Sequence, residues 1–158
     1  EPKESYETVI DLDVDAHIPD RYISNEFQKL DTYKRIAGIQ NEEEYDDMLE
    51  ELMDRFGELP RSVQNLLMIA RLRALAHDAY ITELTQKGDE LRFVMYEKAQ
   101  IDTTKIDGML KDYRGRLKFK IDTNPYFLYT RPRVSKNESD DILRTVRELL
   151  EAIGKLAA

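Results

Sequence analysis

Hydrophobic residues recur every three or four positions over residues 41–56, the spacing of a helix with one buried face. The apolar positions are Tyr45, Met48, Leu49, Leu52, Met53 and Phe56. Asn41 and Glu44 predict a reciprocal N-terminal cap, in which the Glu44 side chain reaches back to the amide of the cap residue. Gly57 predicts the end of the helix through a positive φ, and Pro60 predicts the start of the next one. The segment therefore predicts two helices joined by a short turn.

Acidic residues occupy the face of this helix opposite its apolar positions. Asp47, Glu51 and Asp54 follow one another at spacings of four and three residues, so they stack along one strip. Two interpretations of the strip stay open. It is either a solvated face on which Glu51 pairs with Arg55 one turn later, or a surface that binds a partner.

Two elements are predicted before this helix. Alternation of Ile10, Leu12 and Val14 with aspartates predicts a first strand with one buried face. A first helix is predicted by the apolar positions between Pro19 and Gly38, namely Ile23, Phe27, Leu30, Tyr33 and Ala37. We expect these side chains to face the core. The aspartates do not predict a calcium loop, because Ala16 and Tyr22 stand where that loop requires glycine and glutamate.

The remainder of the chain predicts a largely buried third helix and then two strand pairs with a helix between them. The predicted elements are a helix over 60–79, strands over 81–86 and 91–96, a helix over 103–113, strands over 117–121 and 126–131, and an amphipathic helix over 138–156. His77 in the third helix is interpreted as structural, because the only other histidine is the distant His17. This order lacks the strand-helix alternation that builds a parallel sheet, so we predict a single-domain α+β fold with a mainly antiparallel sheet.

The net charge of −8 is distributed unevenly along the chain. Residues 1–60 carry 18 acidic and 6 basic side chains, whereas residues 111–136 carry 2 acidic and 8 basic side chains. An acidic chain is a poor autonomous DNA-binding protein, because phosphates are bound by clustered cations. The sequence has no cysteine, which excludes disulfides and cysteine zinc sites and leads us to expect a cytoplasmic location. Charges interrupt every apolar run, so we expect no membrane contact.

A second candidate surface is basic and lies on the second predicted strand pair. Its cations are Lys111, Arg114, Arg116, Lys118, Lys120, Arg131 and Arg133, with Tyr126 and Tyr129 available for stacking. Lys118, Lys120, Arg131 and Arg133 are its candidate contacts to a nucleic acid or to a polymerase. The alternative is a solvated strand face that balances the charge of an acidic domain.

The sequence shows no arrangement that is typical of an enzyme. It has no glycine-rich phosphate loop followed by lysine, no strand-turn-helix nucleophile elbow and no histidine near a candidate serine. Its carboxylate clusters lie on predicted solvent faces, where pKa shifts are small. We therefore expect that this chain catalyses no reaction and holds no metal ion or cofactor.

Four motifs occur in a fixed order along the chain: LDVDAHIPDRYI at 12–23, YKRIA at 33–37, ELMDRFGELP at 51–60, and NLL with ARLR at 65–73. Together they resemble the C-terminal domain of the bacterial transcription-repair coupling factors, the Mfd family. The resemblance implies that residues 1–158 are a single regulatory domain excised from a larger DNA-translocating ATPase. That full-length protein removes stalled RNA polymerase and recruits UvrA in transcription-coupled nucleotide excision repair. The resemblance further implies that DNA is contacted by the full-length protein instead of by this domain.

The resemblance also implies a role for the acidic strip. In that family the domain packs on the N-terminal UvrA-binding module and masks it until RNA polymerase is engaged. The positions that face arginines of that module correspond here to Glu51 and Asp54. We therefore expect Asp47, Glu51, Asp54 and Arg55 to form an interdomain contact in which carboxylates pair with guanidinium groups. This requires the carboxylates to project outward, unpaired within their own domain.

Overall fold

The structure is a computed structural model that describes residues 6–133 and 137–157. These residues divide into two compact units. We call Val14–Ala74 the helical unit, and the described parts of Glu1–Asp13 and Leu75–Ala158 the sheet unit. Within the described residues there are five α-helices and one mixed sheet of five strands. The predicted α+β class is confirmed.

The helical unit contains α1 (Glu26–Ala37), α2 (Glu42–Phe56) and the larger part of α3 (Arg61–Asp78). Its helices bury one apolar cluster, made of Ile18, Ile23, Ile36, Ile39, Met48, Leu52, Leu59, Val63, Leu67 and Ala70. The bounds of α2 and α3 lie within two residues of the predicted ones, because glycine, proline and capping residues mark both ends of the turn between them.

The caps of α2 follow the sequence prediction with one change. The Asn41 Oδ1 accepts a hydrogen bond from the Glu44 amide at 2.9 Å. The Glu44 Oε1 accepts from the amide of Gln40 at 2.8 Å, one residue before the predicted donor. Gly57 has a φ of +88°, and its amide donates to the Met53 carbonyl at 3.0 Å. These bonds satisfy backbone groups that the ends of a helix leave without an intrahelical partner.

The predicted apolar face of α1 is correct at Ile23, which is buried, and at Tyr33, which packs against the core, and it is wrong at the other residues. Phe27 and Leu30 are exposed, and Thr32 and Ile36 are the buried side chains of the helix. Ile23 lies in the turn before α1, so helical spacing does not determine which side of the helix it shares. Thr32 enters the core because its hydroxyl donates to the Gln28 carbonyl at 2.7 Å, which satisfies the polar group.

The sheet unit contains β1 (Val9–Asp11), β2 (Ile81–Lys87), β3 (Glu90–Met95), β4 (Leu117–Ile121) and β5 (Pro125–Thr130). The strand order is β1-β2-β3-β5-β4, and all neighbours are antiparallel except β1 and β2, which are parallel. The first strand ends at Asp11, earlier than predicted. The chain leaves the sheet there, and the Asp13 amide donates to the Gln86 side chain at 2.8 Å.

Two helices complete the sheet unit. They are α4 (Ile106–Lys111), which follows a 3-10 turn at Thr103–Lys105, and α5 (Glu138–Gly154). Both are shorter than predicted at their C-terminal ends. The fully buried side chains of this unit include Ile81, Leu84, Leu91, Phe93, Met95, Phe127 and Ile142. Across the described residues, no helix combines the length and the hydropathy needed to cross a bilayer.

Candidate binding surface on the second helix

Glu51 joins α1 to α2 through a bidentate ion pair. Its Oε2 accepts from the Arg35 Nη1 at 2.6 Å, and its Oε1 accepts from the Arg35 Nη2 at 2.5 Å. Arg55 adds a hydrogen bond to the same Oε2 at 3.0 Å, one turn further along α2. The pairing with Arg55 was one of the two open interpretations, and the pairing with Arg35 was not anticipated. The expectation of an unpaired Glu51 is wrong, whereas its role toward a partner stays a prediction.

This arrangement fixes the charge of Glu51. The hydrogen bond from Arg35, assisted by that from Arg55, lowers the pKa of the Glu51 carboxyl from 4.5 to about 2. We call Arg35, Glu51 and Arg55 the triad. The Glu51 side chain remains 31% exposed, so water reaches the triad. Two guanidinium groups and one carboxylate leave the triad with a net positive charge. A cationic partner would have to share these oxygens or displace one arginine from them.

Two carboxylates of the predicted strip flank Glu51 on α2 and remain exposed. Asp47 and Asp54 are exposed, and in the part of the chain that the structure describes neither forms an ion pair. Glu43 and Glu50 are also exposed, and they complete a series at spacings of four, three and four residues. We call Glu43, Asp47, Glu50 and Asp54 the acidic ridge. The predicted strip was correct for two of these residues and missed the other two, although the spacing contains the signal.

An open depression of about 340 Å³ lies beside the acidic ridge. Its lining residues are Arg35, Gly38, Ile39, Glu44, Asp47, Met48 and Glu51. Asp47 therefore belongs both to the ridge and to a concave surface whose apolar part is supplied by Ile39 and Met48. A planar cationic side chain is the kind of group that such a lining accommodates, because its face is apolar and its edge donates hydrogen bonds.

The helix that carries the ridge is held at both ends. At its start, the Arg71 Nε of α3 lies 2.9 Å from the Glu42 Oε1. Near its end, the Tyr22 hydroxyl lies 2.9 Å from the Gly57 carbonyl and 3.2 Å from the Leu52 carbonyl. A surface built on a fixed helix keeps its charges in place before a partner arrives, which reduces the entropy lost on binding.

The basic surface of the sheet unit is smaller than predicted. Lys118 and Lys120 are exposed on β4, as the alternation indicated. Tyr126 lies on the neighbouring strand, where the guanidinium carbon of Arg92 is 4.2 Å from its ring centroid. Tyr129 is buried. Tyr129 is therefore inaccessible to a base, and one face of the Tyr126 ring is covered by an arginine of its own unit.

Arg131 does not belong to that surface, which corrects the sequence expectation. Its side chain is only 2% exposed, and it donates to the Glu138 Oε2 at 2.9 Å and to the Asp141 Oδ2 at 3.1 Å. Both carboxylates lie in the first turn of α5, where negative charge also suits the helix dipole. Arg133 is 83% exposed, and it pairs with Asp89 at 3.0 Å. The buried arginine connects β5 to α5.

Among the residues that the structure describes, no group of three or more histidine, cysteine, aspartate or glutamate side chains is placed to hold a metal ion. The ring of His77 stacks on Tyr6 with a centroid distance of 4.4 Å, and its Nε2 lies 3.1 Å from the Tyr6 carbonyl. His77 therefore makes structural contacts in the sheet unit.

Three comparisons relate the chain to known proteins. A family model described as the TRCF domain matches residues 12–106. A transcription-repair-coupling factor of Bacillus subtilis is 35% identical over 66% of the chain, and one of Rickettsia prowazekii is 31% identical over 90%. The chain spans 9% and 12% of the lengths of these two relatives. A solved structure of the C-terminal domain of transcription-repair coupling factor matches with a TM-score of 0.73 and 25% identity, covering 95% of both chains.

Proposed function

We propose that this chain, which belongs to the TRCF domain family, is a non-catalytic autoregulatory domain of a transcription-repair coupling factor. It packs on the N-terminal UvrA-binding module of the same polypeptide and masks that module until RNA polymerase is engaged. The family match supports the setting in transcription-coupled DNA repair. The masking role is supported by the resemblance of the sequence motifs and by the acidic ridge.

The observation that carries the proposal is the exposure of the acidic ridge on a fixed helix. Asp47 and Asp54 are exposed, and none of the ion pairs found among the described residues involves them. Four carboxylates along one helix repel each other slightly, so a basic partner surface would stabilise them. Charge-assisted pairs at a partly wet interface give orientation and salt sensitivity with little net affinity. These properties suit a contact that has to open.

The triad gives Glu51 and Arg55 a different role from the one expected. Glu51 is held by Arg35 and Arg55, so its first function is to fix α1 against α2. In our proposal Asp47 and Asp54 make the ion pairs with arginines of the UvrA-binding module. Glu51 contributes its charge from the edge of the contact, and it binds the module directly only when Arg35 releases it.

The rest of the full-length protein is inferred from the relatives. The chain spans only about a tenth of their length, so we propose the activity of the whole protein by analogy with them. We expect the full-length protein to bind and hydrolyse ATP in the cytoplasm, to translocate on DNA, to remove stalled RNA polymerase and to recruit UvrA. In this scheme the TRCF domain regulates access to the module and leaves catalysis to other domains.

The test is to neutralise the ridge in the full-length protein. Asp47→Asn with Asp54→Asn removes two charges and preserves shape, so we expect the module to be unmasked and UvrA to bind about tenfold or more tightly. UvrA affinity is measured by titration, together with ATPase rate without polymerase. Asp122→Asn, an exposed carboxylate of the sheet unit, is the matched control. UvrA affinity equal to that of the unaltered protein would exclude the proposal.

A second candidate is contact with a nucleic acid or with RNA polymerase through the sheet unit. It is favoured by the exposure of Lys118 and Lys120 on the same face of β4. Titration of the chain with a fluorescent DNA duplex at about 150 mM salt distinguishes the two candidates, because phosphate binding depends on clustered cations. Binding that is lost with Lys118→Ala and Lys120→Ala supports the second candidate. An autoregulatory domain shows negligible binding in the same assay.

A further inference from the structure

Two large apolar side chains of α1 face solvent. Phe27 is 86% exposed and Leu30 is 56% exposed. They lie three residues apart, so they are neighbours on one face of the helix, opposite the buried Thr32 and Ile36. Single exposed apolar residues are common on protein surfaces, but a phenylalanine beside a leucine forms a patch of the kind that marks interaction sites.

Two contacts show where this pair lies relative to the acidic ridge. Arg35, near the end of α1, binds Glu51 in α2. Tyr22, just before α1, contacts the Gly57 carbonyl just after α2. The two helices therefore run in opposite directions, and the start of α1, which carries Phe27 and Leu30, lies toward the C-terminal end of α2.

The two helices also expose the same side of the hairpin. The residues that follow the bridging pair, Ile36 after Arg35 and Leu52 after Glu51, are both buried. In an antiparallel pair of helices, these two buried residues lie on the same side of the Arg35–Glu51 ion pair. The solvent faces of both helices therefore lie together on the opposite side. Phe27 and Leu30 on α1 and Asp54 on α2 consequently face the same side of the helical unit.

We infer that Phe27 and Leu30 are the apolar anchor of the surface that docks the UvrA-binding module. This inference rests on the proposed function and adds to it the chemistry of the partner. The partner presents an apolar pocket that receives the phenyl ring, beside basic side chains that pair with the acidic ridge. Interfaces commonly combine a desolvated apolar centre with a polar rim, and aromatic side chains carry a large share of their binding energy.

Charge complementarity decides which partner fits. Asp31 and Lys34 lie on the same exposed side of α1 and contribute one charge of each sign. The four exposed carboxylates of the acidic ridge outweigh the single net positive charge of Arg35, Glu51 and Arg55, so the surface is negative. A basic surface with a pocket is attracted to this face, whereas an acidic surface or a nucleic acid is repelled. The apolar pair also contributes to the binding affinity, and salt does not screen this contribution.

The inference is tested by binding this chain to the isolated UvrA-binding module of the full-length protein. Fluorescence anisotropy at about 50 mM and about 500 mM salt separates screened from unscreened contributions. Phe27→Ala with Leu30→Ala should weaken binding about tenfold or more at both salt concentrations. Asp47→Asn with Asp54→Asn should weaken it mainly at the lower concentration. Ile121→Ala, at a residue of the sheet unit that is 79% exposed, should leave it unchanged.

The outcomes separate the inference from the proposed function. If the charge variant loses binding and the apolar variant does not, the anchor is excluded and the autoregulatory proposal stands. If the unaltered chain does not bind the module at either salt concentration, both fail. The apolar variant should unfold at the same temperature as the unaltered chain, because both side chains are exposed; the single variant Phe27→Gln gives a second measurement that must show the same loss.

Discussion

Arg35 binds both carboxylate oxygens of Glu51, at 2.5 and 2.6 Å, and thereby joins two helices that are separated along the chain by a short turn. A carboxylate held in this way stabilises the helical unit. The other two carboxylates of the predicted strip, Asp47 and Asp54, remain exposed. The two interpretations of the acidic strip therefore apply to different residues: the strip pairs internally at Glu51, and its other carboxylates are open to a partner.

The first prediction concerns the pH dependence of stability. The folded-state pKa of Glu51 is about 2, below its ordinary value of 4.5. A carboxyl with a lowered pKa stabilises the fold above its unfolded-state pKa and loses this contribution as the pH falls through the folded-state value. We expect Glu51→Gln to lower the free energy of unfolding by about 1 kcal/mol at pH 7, after allowance for solvent screening, and by almost nothing near pH 2.

Urea unfolding from pH 7 to pH 2 provides the measurement. In the background of Arg35→Gln the effect of Glu51→Gln should shrink, because the main partner has already been removed. A constant difference between Glu51→Gln and the unaltered chain across this range would show that the ion pair does not stabilise the fold.

We expect Arg35 to weaken the proposed interdomain contact. Its guanidinium occupies the Glu51 carboxylate and adds a positive charge beside the acidic ridge. Arg35→Gln removes that charge, so we expect the UvrA-binding module to bind several-fold more tightly at about 50 mM salt and with little change at about 500 mM. Weaker binding of the variant at low salt would mean that Arg35 orients the contact and does not compete with it.

The parts of the fold that follow from local signals could be predicted from the sequence. The ends of α2 depend on Asn41, Gly57 and Pro60, all within a few residues of the elements that they limit. The α+β class depends on the order of elements, which the hydrophobic periodicity contains. The acidic ridge is also local, because its spacing can be read along one helix.

Contacts between distant residues could not be predicted. Arg35 and Glu51 are 16 positions apart, and nothing in either neighbourhood specifies their pairing. Thr32 enters the core through a hydrogen bond to its own helix, which reverses the exposure expected of Phe27 and Leu30. Arg131 follows the last strand residue and is buried where it pairs with carboxylates in the first turn of α5. For Arg35 and Arg131 the deciding contact joins distant parts of the chain, whereas the hydroxyl of Thr32 is satisfied four residues back in its own helix.

Arg131 and Arg133 provide a matched pair for a stability prediction. Arg131 is buried against Glu138 and Asp141, whereas Arg133 is 83% exposed. The buried guanidinium donates charge-assisted hydrogen bonds to both carboxylates, so Arg131→Met, which removes them, should destabilise the chain by about 2 kcal/mol. Arg133→Met should change the stability by less than about 0.5 kcal/mol. Thermal unfolding of the two variants measures the difference, and equal effects would contradict the assignment of Arg131 to the interior.

Alanine substitutions at Gly57 and Gly108 should have opposite effects on stability, because a side chain has room at both positions and only the backbone conformations differ. A Cβ added at either position meets no atom within 4 Å, but Gly57 has a φ of +88° and Gly108 lies in α4 with no positive φ. Gly57→Ala should therefore destabilise the chain by about 1–2 kcal/mol through backbone strain. Gly108→Ala should stabilise it by about 0.5–1 kcal/mol through helix propensity. Opposite shifts of the urea midpoint are expected. A midpoint that does not fall in Gly57→Ala would show that α2 does not require glycine where it ends.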